Sequence, residues 1–270
     1  MTRGFVLAKS RARGWFSNQA GFRLLDARHD DAFLVSYPRS GSTWLRTVLS
    51  NLLVPWGRAN PDVFNALIPG VTLRGALRAR ALQSPRIISS HAPHQPGLPR
   101  AVYLVRDGRD ALVSYHLDQK SRGGPGGTVP FATFLDEHLE GLHGPRWHAH
   151  VEGWLRAGRA ELGDRLCVIR YEDLLTDPLR GMRSVVEFLG LSATDEGLAA
   201  AIEGASLETM RAVEARRLGG VVSGDRSFYR SGEALLGAGW FDDAMYDRFA
   251  EVGGVALSLC GYPLRPEHRP

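Results

Sequence analysis

Apolar residues along this chain fall into short, nearly continuous runs separated by longer stretches with helical spacing. Residues 32–37 (AFLVSY) are almost uniformly apolar and stop at Pro38, where the chain turns into Arg-Ser-Gly. Runs of that length bounded by turn residues suit buried strands, since helices are usually longer. Residues 86–90 (RIISS), 101–105 (AVYLV) and 166–171 (LCVIRY) have the same character. From Ser42 the period changes: Trp44, Leu45, Val48, Leu49, Leu52 and Leu53 recur at near-helical spacing until Pro55. Further helical patterns cover 71–82, 111–115, 131–142, 145–159, 179–189, 196–215 and 242–259. Strands alternating with helices predict an α/β fold whose central, mostly parallel sheet is flanked by helices.

With 270 residues and 44% hydrophobic content, the chain can bury a full core, and a charged fraction of 23% argues against disorder. No repeat or low-complexity tract divides it. One domain over 1–270 is predicted, with residues 1–30 as a peripheral N-terminal segment. GGPGG (123–127) predicts a mobile loop, and 219–230 a second polar, glycine-containing connection. The formal charge of +4 suits an anionic ligand and is also ordinary for a soluble protein. Cys167 and Cys260 sit in apolar runs and predict reduced, buried thiols. No stretch approaches the roughly 18 apolar residues of a membrane span, and the start of the chain lacks a secretory pattern. A cytoplasmic location is expected.

The segment FLVSYPRSGSTWL places a tight turn between a strand and a helix start. Amides at a helix N-terminus have no intrahelical partner and carry positive partial charge, so they hold phosphate well. Gly41 permits close backbone approach, Ser40, Ser42 and Thr43 add hydroxyls, and Arg39 adds a permanent cation. Composition alone fits an anion site or a serine-capped helix equally. No lysine follows the glycine, which separates this loop from G-x-x-x-x-G-K-[ST] of the nucleoside triphosphatases.

Residues 37–44 (YPRSGSTW) resemble the 5′-phosphosulfate loop, commonly written YPKSGTTW, of sulfotransferases that use 3′-phosphoadenosine 5′-phosphosulfate (PAPS). RDGRDALVSY (106–115) is similar to that family's 3′-phosphate signature, YEDLLTDP (171–178) with FLGL (188–191) to a third segment, and FYRSG (228–232) to a degenerate fourth. The resemblance covers about residues 32–245 in the family's order and implies a P-loop-containing sulfotransferase architecture.

By that resemblance, Arg39, Ser40, Gly41, Ser42, Thr43 and Trp44 hold the phosphosulfate end of PAPS. Arg106 and Ser114 hold the 3′-phosphate, with Arg230, Ser231 and Gly232 closing from the C-terminal side. Trp44, Tyr171 and Phe228 line the adenine. From the residues alone, an ion pair of Arg106 with Asp107 or Asp110 is the expected reading. Ser89-Ser90-His91-Ala92-Pro93 matches the family's K-T-H-x-P at His and Pro, which implies that His91 is the catalytic base; His94 competes for the role. Two departures stand out: Arg39 replaces the loop lysine and Ser89 the lysine before the histidine. Arg39 keeps the charge but cannot donate a proton at ordinary pH.

His138, His143, His148 and His150 are spaced by five, five and two, which does not align them on one helix face as metal ligands. Surface or acceptor-pocket roles are predicted, and no metal. The expected activity is sulfuryl transfer from PAPS to a hydroxyl of a small-molecule acceptor, releasing adenosine 3′,5′-bisphosphate. The alternatives are a P-loop nucleotide kinase, a non-catalytic nucleotide- or anion-binding module, and a sulfotransferase fold that has lost activity. Dispersed arginines argue against a nucleic-acid partner. Acceptor identity and oligomeric state stay open.

Overall fold

A computed structural model describes residues 25–54, 60–218 and 239–265. Four strands form one parallel sheet: β1 (Ala32–Ser36), β2 (Ile87–Ser90), β3 (Ala101–Val105) and β4 (Leu166–Arg170), in the order β2-β1-β3-β4. Register is set by pairs such as Ala32 with Ile87, Phe33 with Ala101 and Val102 with Cys167. Every residue of β1 and β3 is buried. Alternate side chains feed two cores, with Phe33, Val35, Tyr37 and Tyr103 on one face and Ala32, Leu34, Val102 and Leu104 on the other. Continuous apolar runs follow from that two-sided burial.

The helices among the described residues run in chain order. α1 is Ser42–Leu53, α2 Pro61–Leu67 and α3 Leu73–Ala81; α4 (Gly108–Ser121) follows β3. Next come α5 (Phe131–Leu139), α6 (Trp147–Glu152), a π-helical stretch (Gly153–Gly158) and α7 (Arg159–Leu162). After β4 come α8 (Tyr171–Thr176), α9 (Pro178–Leu189), α10 (Asp195–Glu203), α11 (Leu207–Leu218) and α12 (Asp243–Leu259). α9 shows how the sequence sets these bounds. Asp177 accepts from the Arg180 amide as N-cap, Pro178 opens the first turn, and Gly190 ends the helix in the left-handed conformation. Between the caps Met182, Val185, Val186 and Leu189 form the buried stripe.

Several expectations change. The 196–215 pattern is two helices, because α10 ends at Gly204 and the Ser206 hydroxyl accepts from the Thr209 amide to start α11. The 145–159 pattern widens into a π-helical stretch containing Gly153 and Gly158. Tyr171 begins a helix rather than ending β4. GGPGG is not simply a loop: Pro125–Gly127 forms a 3₁₀ turn, and the Gly126 carbonyl accepts a hydrogen bond from His116 at 2.9 Å. Among the described residues, no helix is long and apolar enough to cross a membrane.

Topology positions the site. From β1 the chain crosses to β2 on one side, and from β3 it crosses to β4 on the other. The carboxyl ends of adjacent β1 and β3 therefore flank a switch point, where open α/β sheets leave a crevice for ligands.

Candidate active site

The turn after β1 is backbone-strained. Arg39 adopts φ 68°, rare for a residue with a Cβ, and Gly41 adopts φ 96° at the N-cap of α1. A Cβ on Gly41 would lie 2.6 Å from the Tyr171 ring, so only glycine fits between loop and aromatic. No side chain caps α1, and no acidic residue lies in its first turn. The serine-capped reading of this loop is thereby set aside: no side chain takes up the first-turn amides. Ser40 is fully buried and its Oγ has no hydrogen-bond partner. Ser42, Thr43 and Trp44 are half-buried in the first turn of α1.

The turn after β3 reaches the same place. Arg106, 5% exposed, donates from Nη1 to the Arg39 carbonyl at 3.3 Å, and its guanidinium lies 4.5 Å from the centre of the Tyr171 ring. It also pairs with Asp110 at 3.6 Å, while Asp107 pairs with Arg109, so the ion pair expected from the residues alone forms with Asp110. Ser114 accepts from Arg39 Nε at 3.2 Å, and Asp118, one turn further along α4, pairs with Arg39 Nη1 at 3.3 Å. Arg39, Ser40, Gly41, Arg106, Ser114 and Tyr171 are thus brought together. Close approach shapes this corner as well: a Cβ on Gly108 would lie 2.5 Å from the Trp147 ring, and Trp147 Nε1 donates to the Arg106 carbonyl at 3.1 Å. Phe228, Arg230, Ser231 and Gly232 lie outside the described residues.

His91 follows β2 directly. Its Nδ1 lies 2.8 Å from the Ser36 carbonyl, which can only accept, so Nδ1 carries the proton and Nε2 presents a lone pair. The Ser36 hydroxyl lies 3.2 Å from the same nitrogen. The side chain keeps exposed surface while surrounding protein displaces much of its hydration. That desolvation, reinforced by Arg46 and Arg39, lowers its pKa from the ordinary value; the Ser36 bond works the other way. His94 is differently placed: Nε2 pairs with Glu161 at 3.1 Å, and the ring packs edge-on against Trp154. The geometry favours His91 over His94 as a free lone pair.

The later histidines are not a surface group. His138 and His150 are 0% and 1% exposed, bonded to Tyr37 (2.6 Å) and Tyr103 (3.0 Å) respectively. His143 pairs with Glu137 at 2.5 Å. His138 and His150 are buried because the helices carrying them pack onto the sheet face that presents Tyr37 and Tyr103, while His143, in a turn, and His148 are half-buried. Among the described residues no cluster suits a metal ion.

Sequence reasoning overlooked three participants. Asp118 sits four residues after Ser114, a spacing that puts both on one face of α4. Arg46 donates to Asn65 Oδ1 at 2.8 Å and to the Ile68 carbonyl at 2.6 Å, and its charge bears on His91. Glu172 accepts from the Asp107 amide at 3.1 Å and from the Tyr262 hydroxyl at 2.6 Å, tying α8 to the turn after β3; burial raises its pKa. Only the Asp118 spacing was available before folding.

The sulfotransferase domain family matches residues 29–254, and the chain belongs to this family. Rat sulfotransferase 1 family member D1 is 30% identical over 232 residues, covering 77% of this chain and 74% of that protein. Mouse sulfotransferase SULT7A1, solved in complex with PAP, superimposes with a TM-score of 0.67 at 23% identity, covering 86% and 85% of the two chains. Retinol dehydratase, solved with androsterone and the inactive cofactor PAP, gives 0.69 at 21% identity, covering 90% and 84%. These two structures show the same fold, the P-loop-containing sulfotransferase architecture, and the family makes the protein a transferase of the sulfotransferase type.

Proposed function

We propose that the whole chain, 1–270, is one sulfotransferase domain that moves a sulfuryl group from PAPS to a hydroxyl of a small-molecule acceptor. One observation carries this reading: the strained turn at 38–41 and the Arg106–Ser114 region touch across the switch point, at 3.3 and 3.2 Å. PAPS has two anionic ends on one nucleoside, and this arrangement sets two anion-binding groups side by side. The unpartnered Ser40 Oγ and the uncapped α1 amides suit the phosphosulfate. Arg106, Ser114 and, from the C-terminal side, Arg230, Ser231 and Gly232 suit the 3′-phosphate. Trp44, Tyr171 and Phe228 supply flat surfaces for adenine. Related structures holding PAP and androsterone support both the nucleotide and a hydroxylic acceptor.

The mechanism is in-line displacement. His91 takes the acceptor's hydroxyl proton on Nε2 as that oxygen bonds to sulfur. The bond from sulfur to the 5′-phosphate oxygen breaks, releasing adenosine 3′,5′-bisphosphate. Arg39 and the α1 amides hold the charge that gathers on the leaving phosphate. Arg39 supplies charge and no proton, so the product leaves unprotonated. For this step Arg39 must release Ser114 or Asp118.

Labelled PAPS offered with phenol and sterol acceptors tests the activity, with His91→Ala beside the native chain. Transfer by the native protein and loss of turnover with retained bisphosphate binding in the variant is the expected result. Absent bisphosphate binding, or magnesium-dependent ATP turnover, would overturn the reading. A His91→Ala protein that still transfers sulfate once loaded would remove the histidine from its role.

A further inference from the structure

One fully buried histidine has no part in the proposed mechanism. His150 is 1% exposed, on α6. Its Nδ1 lies 3.0 Å from the Tyr103 hydroxyl, and the two rings stack with centres 5.7 Å apart. Tyr37 packs edge-on from another side, at 5.7 Å. A tyrosine hydroxyl donating to Nδ1 leaves the ring proton on Nε2. That nitrogen is buried without a hydrogen-bond partner, yet the backbone of His91 and Ala92 lies within the ring's reach. Burial keeps the ring neutral, with a pKa lowered to about 3.

The next helical turn acts on the same segment. Trp154, four residues on, donates from Nε1 to the Ala92 carbonyl at 3.1 Å and stacks on Tyr103 at 5.5 Å. One helical face thus carries both rings: Trp154 bonds the Ala92 carbonyl, His150 adds a buried ring nitrogen that no hydrogen bond satisfies, and Tyr103 stacks on both. A catalytic nitrogen is only as well aimed as the backbone beneath it. Donor bonds that are loose without substrate commonly tighten when it binds.

We propose that His150 is a positioning residue: oriented by Tyr103, it holds the chain at His91 and Ala92 from below and fixes the direction in which His91 presents Nε2. This rests on the reading of His91 as the base. It assigns His150 no proton transfer and no acceptor contact.

Steady-state kinetics on the full chain, with binding of adenosine 3′,5′-bisphosphate and thermal melting, test it in His150→Phe, His150→Gln and Tyr103→Phe. Phenylalanine keeps the stacking and removes both nitrogens; the glutamine amide places a donor where Nε2 stands. In His150→Phe, kcat should fall at least tenfold while acceptor KM and bisphosphate Kd stay within threefold. His150→Gln should return kcat to within threefold of native. Adding Tyr103→Phe to His150→Phe should cost nothing more, since both act through one contact. Native kcat in His150→Phe, a change confined to KM, or failure of glutamine to restore turnover would each overturn the proposal. Should His150→Phe not fold, Tyr103→Phe decides by its own kcat, a loss supporting and a native value opposing. His91→Ala separates the two readings: if it keeps turnover, the base assignment fails first. If it is inactive while His150→Phe is native, only the present inference fails.

Discussion

Arg106 donates a hydrogen bond to the backbone carbonyl of Arg39 at 3.3 Å, joining the turn after β3 to the strained turn after β1. With the Arg39 side chain bonded to Ser114 and Asp118, the contact makes the two turns one structural unit at the ends of two neighbouring parallel strands.

Removing the guanidinium tests the proposal that Arg106 holds the 3′-phosphate. Arg106→Met is expected to weaken adenosine 3′,5′-bisphosphate binding by roughly 10–100-fold, the effect of losing one charged hydrogen bond of about 1.5–3 kcal/mol. Binding of adenosine 5′-monophosphate, which lacks the 3′ group, should change less than threefold. Calorimetry of both ligands checks this, and equal losses would move Arg106 to a structural role.

Gly41 should not tolerate a side chain. Its left-handed backbone costs an L-residue about 1–2 kcal/mol, and a Cβ would meet the Tyr171 ring at 2.6 Å. Gly41→Ala should lower Tm by several degrees and weaken bisphosphate binding at least tenfold. An alanine variant with native binding would show that the loop can shift away from Tyr171.

Asp118 places a carboxylate beside the cation proposed to face the phosphosulfate. Asp118→Asn removes that competing charge while keeping a hydrogen-bond acceptor for Arg39. Bisphosphate affinity should rise several-fold at low salt, with the gain shrinking as salt is added. Weaker binding in the variant would mean that Asp118 orients Arg39 productively.

The rate should hold up in acid further than an ordinary histidine allows. His91 must be neutral to accept a proton, and its pKa lies below the usual value of about 6.5. The acid limb of kcat/KM should therefore fall below that pH. Replacing Arg46, a charge that depresses it, by glutamine should move the limb upward; a downward shift would contradict the assignment.

Acid stability should report on His150. Its folded pKa, about 3, lies below the unfolded value, so the unfolded chain binds the extra proton between about 6.5 and that value. The neutral ring's contribution is complete above the unfolded pKa and is lost as pH falls toward the folded one. His150→Phe should flatten the pH dependence of unfolding free energy across that window by up to about 1.4 kcal/mol per pH unit. An unchanged slope would mean that the ring is protonated in the folded protein.

Much of this could be read before the chain was folded. Strands 32–36 and 101–105 announce themselves because burial on both faces of a parallel sheet demands unbroken apolar runs. The α1 start was legible because a strand, a glycine turn and a helical period follow one another within a dozen residues. Local chemistry, written in adjacent positions, also offered Arg39 and the hydroxyls of 40–43 to an anion, whereas Arg106, Ser114 and His91 became candidates through the family resemblance. The break at Gly204, the π-helical turn and the short α2 were not legible, since each depends on what packs against it.

The sequence by itself determined the order of elements and the residue types offered to an anion, because hydrophobic period and turn chemistry act between near neighbours. Tertiary structure alone decided that Arg106 meets Arg39, that Asp118 rather than solvent receives the Arg39 guanidinium, and that His150 is sealed against Tyr103. Those contacts join residues 47 to 79 positions apart, and strand order in the sheet, which no local pattern encodes, brings them together.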